Sequence, residues 1–367
     1  MRLGLVEMLR AKLKYGLLGG ALALLVFLLM FLSTLSSTLL GSFTGALRHN
    51  TADVLVYNSG TRRNLQASRL DPTLARGVAR VPGVAAVGEI GNATLTVDVG
   101  NGPADLNLWG YQSGQPGGPG RIVSGAWPGP GEALVDIADR AKGFTIGAVI
   151  RVQPTGAQLR IVGYTKDSRF NVQPTAYTTL ATYRSILRAA NPSARNSDNL
   201  FGVRVAAGAA PAVVSRAIGA SNSSFQALSR AQAVSSLPGV SSITQSFDLV
   251  IGITFVIVVV VIGFFFLILT VQKLRVFTGL RAIGATTGYL AATLGVQVVV
   301  MVFIGVAAAT ALLGGAAVSS SDAFPIQVDP QLVGITAAGV LLFSLASSLL
   351  SIRRITRVDP AEAAGLR

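Results

Sequence analysis

The residues of this chain with the clearest capacity for chemistry are bases, and the chemistry they offer is docking. Lys273 to Leu290 reads KLRVFTGLRAIGATTGYL, with Lys273, Arg275 and Arg281 set around a short amphipathic core and no acid among them. Such a stretch is no part of a membrane span; it is a surface that another protein can push on. Other chemistry finds little to work with. The chain has no cysteine, hence no disulfide framework and no thiolate metal site, and its single histidine, His49, excludes a multi-histidine centre. No G-x-x-x-x-G-K-[ST] loop occurs, and the dipeptide Gly-Lys is absent, so the chain shows no means of hydrolysing nucleotide itself. Neither H-E-x-x-H nor G-x-S-x-G is present. The carboxylate pair Asp136/Asp139 reads as the exposed face of a short helix rather than as an acid/base site.

The elements that must position the basic stretch are long apolar runs. The 367 residues are 51% hydrophobic and 13% charged, with a mean hydropathy of +0.58, whereas soluble domains carry about 25% charged residues. Four stretches are apolar and long enough to cross a bilayer as helices, which takes about 20 residues. The expected spans cover 16–46, 246–272, 289–318 and 331–352. No Asp, Glu, Lys, Arg or His stands inside their uncharged cores, which argues against a proton-driven pump. The first run is too long for a cleaved signal peptide and lacks a closing Ala-x-Ala site. Bases gather before the first span (Arg2, Arg10, Lys12, Lys14), between the second and third, and after the fourth (Arg353, Arg354, Arg357, Arg367), while the loop 319–330 holds Asp322 and Asp329 and no base. The positive-inside rule then places both termini and the Lys273 stretch in the cytoplasm, and residues 47–245 outside. Residues 1–15 read either as an interfacial amphipathic helix, with Leu3, Val6, Leu9 and Leu13 on one face, or as a plain extension of the first span.

Residues 47–245 are expected to form an α+β domain. Pro72 opens a short helix that Pro82-Gly83 ends. Alternation over Thr94–Val99, then Asn101-Gly102, then Leu106 and Leu108 predicts a hairpin. A second is expected from 148–152 and 158–164 around Pro154-Thr155-Gly156. Gly202–Ala206 reads as a strand, Pro211 to Ile218 as a helix, Gln112–Gly131 as an exposed loop, and Ser221–Ser246 as helix leading into the second span. This segment carries 19 Lys and Arg against 10 Asp and Glu. That surplus suits either anionic headgroups or an ordinary solvated surface, and the second reading is the simpler. The net charge of +14 does not point to nucleic acid, because the bases are scattered and no basic module with interleaved aromatics appears.

The basic stretch with its flanks also carries a resemblance. Phe264-Phe265-Phe266, Leu269 to Lys273, Phe277, Leu280-Arg281-Ala282-Ile283-Gly284-Ala285-Thr286 and Tyr289-Leu290 resemble the cytoplasmic loop of the FtsX-like, MacB-type permeases of ABC transporters, nearest to the haem-exporter and DevC-type branch. The tail Ile352-Arg353-Arg354-Ile355 followed by Val358-Asp359-Pro360-Ala361-Glu362-Ala363 is similar to the family's closing pattern, and Ala52 to Tyr57 and Pro82-Gly83-Val84 also fit. Essentially the whole chain is covered. Where many members have an acid followed by Ile-Gly, this chain has Val276, Phe277 and Thr278, with Gly279 next.

The resemblance implies an integral membrane α-helical protein of four transmembrane helices, with the large α+β extracytoplasmic domain inserted between helices 1 and 2, in a bacterial cell membrane. It implies a coupling helix, 273–288, seated in a groove of a separate ATP-binding subunit. Leu274, Phe277, Leu280 and Ile283 would be buried anchors. Lys273, Arg275 and Arg281 would supply its charge, the two arginines facing acids of the ATPase, and Gly279, Gly284 and Gly288 would let the chain turn back. The plainer alternative is that the bases only fix topology. Two permeases and two ATPases would assemble, with ATP and Mg on the partner, no cofactor in this chain, and membrane lipids around it. The branch, which holds both haem and glycolipid exporters, implies haem as the leading cargo with lipid or drug next, and thioether or imidazole can ligate haem iron. Met30 and His49 are the candidates, with Tyr57 more remote, although a lone Met in an aliphatic helix is more readily core packing and His49 an ordinary interfacial residue. Ser33, Thr34, Ser36, Ser37, Gly295 and Gly305 suit close helix packing. Two functions remain in view: a permease exporting a hydrophobic or amphipathic molecule, and a transmitter that moves the outer domain to regulate an extracytoplasmic enzyme without transport. A membrane-anchored enzyme is disfavoured, since no catalytic constellation is visible.

Overall fold

The computed structural model describes residues 12–100, 102–192, 197–282, 286–319 and 328–355. They fall into two compact units, one of residues 37–245 and one built from the long helices. The chain enters on α1 (Lys12–Arg48). It leaves through α6 (Val240–Ala282), α7 (Thr287–Ser319) and α8 (Pro330–Ile355).

Among the described residues, three helical stretches are long and apolar enough to cross a membrane: Tyr15–Arg48, Val240–Phe265 and Gly295–Ser319. The described apolar part of α8, Pro330–Ser344, is shorter than a full span. The helices bury Val26, Leu29, Met30, Val258, Ile262, Met301, Val302 and Val340 against one another. They leave large apolar side chains such as Leu24, Leu249, Phe264, Phe303 and Leu342 exposed. A helix apolar all round requires an apolar surrounding, and lipid supplies it. Gly305 seats Leu22 of α1, because a Cβ there would come within 3.0 Å of that side chain. Gly295 has nothing within 4 Å, so of these two expected packing glycines the first closes a helix contact and the second does not.

The α+β unit is one ten-stranded mixed sheet. In chain order its elements are β1 (Val54–Asn58), α2 (Ala75–Ala79), β2 (Val84–Asp98), β3 (Pro103–Tyr111), β4 (Ile122–Gly125), β5 (Glu132–Asp136), β6 (Val149–Val152), β7 (Ala157–Thr165), β8 (Thr175–Thr179), α3 (Leu180–Ala190), β9 (Leu200–Val205), α4 (Pro211–Ser221), β10 (Phe225–Ser229) and α5 (Arg230–Ser235). The strand order is β10-β1-β9-β2-β3-β8-β5-β7-β4, with β6 pairing β2 and β7. Only β3/β8 and β5/β7 run parallel. Both expected hairpins are present, as β2/β3 and β6/β7. Their turns are local and rest on the residues that form them.

Four expectations are corrected. Gln112–Gly131 is not an exposed loop throughout: Pro116 to Pro119 are buried and β4 lies within it. Trp109 explains the burial, since its Nε1–H donates to the Gly117 carbonyl at 2.9 Å. Ser221–Ser246 is not one helix, because β10 interrupts it; a capping box of Ser229 and Gln232 then starts α5 afresh. Asp136 and Asp139 are buried, 2% and 0% exposed, and not on an outer face. Finally, the stretch assigned to a separate coupling helix continues the second span, as α6 runs unbroken through Ala282. Lys273 to Ala282 contains no proline, and its lone Gly279 is within the helix's tolerance.

Candidate functional site

Three places bear on function: the end of α6, the two iron-ligand candidates, and the point where α1 ends in the α+β unit. In the first, the backbone is helical from Lys273 to Arg281. At about 100° per residue, Lys273, Leu274, Phe277, Leu280 and Arg281 occupy positions on one side and Arg275 falls on the opposite side. Ile283 and Gly284 lie outside the described residues, as do residues 1–11.

Met30 is 1% exposed within the helix core, and the Thr310 hydroxyl lies 4.0 Å from its sulfur. His49 follows the last residue of α1, and its Nδ1 is 2.6 Å from the Asp167 carbonyl oxygen. A carbonyl only accepts, so Nδ1 is the donor of that bond. Met30 belongs to the helical unit and His49 to the α+β unit. Tyr57 is buried in the sheet core, and burial pushes its phenol above the ordinary range.

The end of α1 is gripped by the loop that follows β7. Ala46 N–H donates to the Arg169 carbonyl at 2.9 Å, and the carbonyls of Ser42 and Phe43 accept from the N–H groups of Val172 and Asn171, each at 3.1 Å. The loop approaches so closely that a Cβ on Gly45 would sit 2.5 Å from the Asp167 carbonyl oxygen and 3.0 Å from that of Arg169. Only glycine fits. The loop is itself strained: Asp167, Asn171 and Val172 have φ of 55°, 55° and 62°. For a β-branched residue such as Val172 this region costs about 1–3 kcal/mol and persists only when surroundings impose it.

What imposes it is the buried carboxylate pair. Asp136 caps the turn after β5 by accepting from Ala138 N–H at 3.0 Å, and its other oxygen accepts from Ser168 N–H at 2.6 Å. Asp139 takes the Arg169 guanidinium in a fork, with Nε at 3.1 Å and Nη2 at 2.5 Å. Arg169 also donates to the Ala138 carbonyl at 2.8 Å, and the Tyr177 hydroxyl donates to the Ser168 carbonyl at 2.6 Å. Phe170 packs edge-on against Trp109, with ring centroids 5.9 Å apart. Burial pushes the Asp136 carboxyl up, while the Ser168 and Ala138 N–H groups hold it down. All four carboxylate oxygens are occupied, so the pair anchors the loop and is not poised for proton transfer. Sequence reading missed this grip. The signals that could have found it are Asp-x-x-Asp following an apolar strand, and one glycine, Gly45, in an otherwise unremarkable helix end.

A family model described as MacB-like periplasmic core domain matches residues 18–221, and one described as FtsX-like permease C-terminal matches residues 249–360. The "Putative hemin transport system permease protein HrtB" of Staphylococcus epidermidis is 30% identical over 118 residues, covering 32% of this chain and 34% of the relative. The protein of the same name from Staphylococcus haemolyticus matches to the same extent. The chain thus spans about a third of the length of these curated relatives. Among solved structures, the periplasmic region of MacB from Actinobacillus actinomycetemcomitans matches with a TM-score of 0.37 and 13% identity, covering 55% of this chain and 95% of that one. The extracellular domain of the noncanonic ABC-type transporter YknZ from Gram-positive bacteria matches with a TM-score of 0.34 and 14% identity, covering 48% of this chain and 98% of that one.

Proposed function

We propose, since this chain belongs to the family of FtsX-like, MacB-type permeases, that it is the non-catalytic membrane subunit of an ATP-driven ABC exporter. The observation that carries the reading is that both family models match, the domain part over 18–221 and the helical part over 249–360. A separate ATP-binding subunit would seat on the α6 end around Leu274, Phe277, Leu280, Ile283 and Gly284, with Lys273, Arg275 and Arg281 contributing charge. Two copies of the chain would pair in a bacterial cell membrane, with four spans and both termini in the cytoplasm. Haem is the leading cargo, ahead of lipid or drug, supported by the hemin transport named for the relatives at 30% identity. His49 at the end of α1 would be the better iron-ligand candidate, since Met30 is packed in the helix core.

A second reading, transmission of ATPase-driven motion to an extracytoplasmic enzyme without transport, is favoured by one feature. The end of α1 is fastened to the α+β unit through Gly45 and the loop Asp167–Val172. The test is ATPase activity of the purified complex in nanodiscs with and without haem, paired with haem sensitivity of a deletion strain. Stimulation and sensitivity support export of haem. Neither effect, with hydrolysis intact, removes haem as cargo.

A further inference from the structure

The sheet of the α+β unit ends on β4, and β4 is an open edge. Among the described residues it pairs with β7 alone, and Ser124, Gly125 and Ala126 are all exposed. An edge of this kind presents unpaired N–H and C=O groups along its outer side. Two large apolar side chains stand on the same stretch, Val123 at 45% and Trp127 at 55% exposure. The opposite end of the sheet differs, since β10 has no exposed residue.

Charge gathers at the same corner. Arg121 precedes β4 and Lys166 follows β7, and the pairing of Ile122 with Thr165 sets them at one end of the ladder. Gly120 N–H donates to the His49 carbonyl at 2.9 Å, which brings Arg48 to that end as well. All three bases are exposed, and among the described residues none forms an ion pair. The acids nearby offset little. Asp136 is buried with both oxygens occupied, and Glu132 accepts from the Gly129 N–H at 2.9 Å. Asp167 is left, so three bases meet one carboxylate. Main-chain groups along an open edge supply affinity for an extended peptide, and the side chains around the edge select it. Free bases select acids, and Val123 with Trp127 selects apolar residues alternating with them. A second copy of this edge fits poorly, because it would bring the same bases against one another. The bulge between Ile122 and Ser124 shortens the straight part of the edge, so the complement is a short segment.

We propose that the β4 edge docks a short, extended, acidic segment of another protein, which joins the sheet as a strand and lays its apolar residues on Val123 and Trp127. The edge belongs to the α+β unit and the α6 end to the helical unit, and docking needs no ATP, so its failure and that of the exporter reading are separable. The test is fluorescence anisotropy with the full-length chain in nanodiscs of zwitterionic lipid and three labelled probes. These are the peptide EVTVDVE, its basic counterpart KVTVKVK, and EPTPDPE, which keeps the acids but cannot pair as a strand. EVTVDVE binds with a sub-millimolar Kd, and each of the others binds at least about tenfold more weakly, or about 1.4 kcal/mol. R121E and W127A each weaken EVTVDVE by about tenfold with melting unchanged. Should those variants misfold, the wild-type protein decides: EVTVDVE slows amide exchange along Ile122–Gly125 and KVTVKVK does not. EPTPDPE binding as tightly as EVTVDVE, no binding of EVTVDVE, or folded variants with unchanged affinity would overturn the proposal. Efficient disulfide cross-linking of Ser124→Cys between copies, in a chain with no other cysteine, would assign the edge to a second copy and overturn it too.

Discussion

Gly45 and Gly41 stand one helical turn apart on α1, and replacing each by alanine separates helix propensity from the grip of the loop. A Cβ at Gly41 meets nothing within 4 Å, whereas one at Gly45 lies 2.5 Å from the Asp167 carbonyl oxygen. Carbon–oxygen contacts normally begin near 3.3 Å, so the loop must withdraw by about 0.8 Å. The three hydrogen bonds at 2.9 to 3.1 Å that tie it to α1 would then pass the distance at which such bonds persist. Each contributes about 0.5–1.5 kcal/mol net, for a loss of about 2–4 kcal/mol. Alanine returns up to about 1 kcal/mol of helix propensity at either site. Gly41→Ala should therefore be neutral or stabilising by up to about 1 kcal/mol, and Gly45→Ala destabilising by about 1–3 kcal/mol. Unfolding of the full chain in detergent can be followed by tryptophan emission, because Trp109 packs on Phe170 of the loop. Equal stability of the two variants, within about 0.5 kcal/mol, would refute the assignment of the loop as a clamp on α1.

Other outcomes follow from the same geometry. Asp139→Ala leaves Arg169, only 7% exposed on its side chain, as an unpaired buried cation, and should cost about 3–5 kcal/mol. The double variant Asp139→Ala, Arg169→Met should recover most of that loss, and denaturant midpoints of the three proteins check it. Burial pushes the Asp198 carboxyl from 3.8 to about 6, against the pull of Arg184. The folded form then holds its proton more tightly than the unfolded one, so Asp198 makes stability fall as pH rises from about 4 to about 6. Asp198→Asn should flatten that slope, which a pH series of unfolding midpoints reads directly.

The helical part is legible because its signal is length and apolarity, which need no tertiary information. The stretches Tyr15–Arg48, Val240–Phe265 and Gly295–Ser319 lie within or overlap the expected runs. Where α6 ends is less so: nothing between Gln272 and Lys273 breaks a helix, and charge alone marked the change there. In the α+β unit, β2/β3 and β6/β7 could be read because their turn residues sit between the strands they join. The parallel partners β3/β8 and β5/β7 could not, since each pairing is decided by residues far apart in sequence. Asp136 and Asp139 show the same limit. Two acids three apart look solvated until Arg169 and Ser168, some thirty residues on, supply the donors that let them be buried. Gly45 reads as one more small residue in an apolar helix, and only the loop lying on it gives it a purpose.

The claim on which the rest depends is that this chain is moved by a separate ATPase seated on the α6 end. Full-length protein carrying Phe277→Asp, co-expressed with its ATP-binding subunit and reconstituted in nanodiscs, tests it by ATP hydrolysis per permease. The wild-type complex should co-purify and hydrolyse ATP, and Phe277→Asp should lose the subunit or its hydrolysis while expressing normally, with Arg281→Glu behaving alike. A Phe277→Asp complex that co-purifies intact and hydrolyses ATP at the wild-type rate would contradict it.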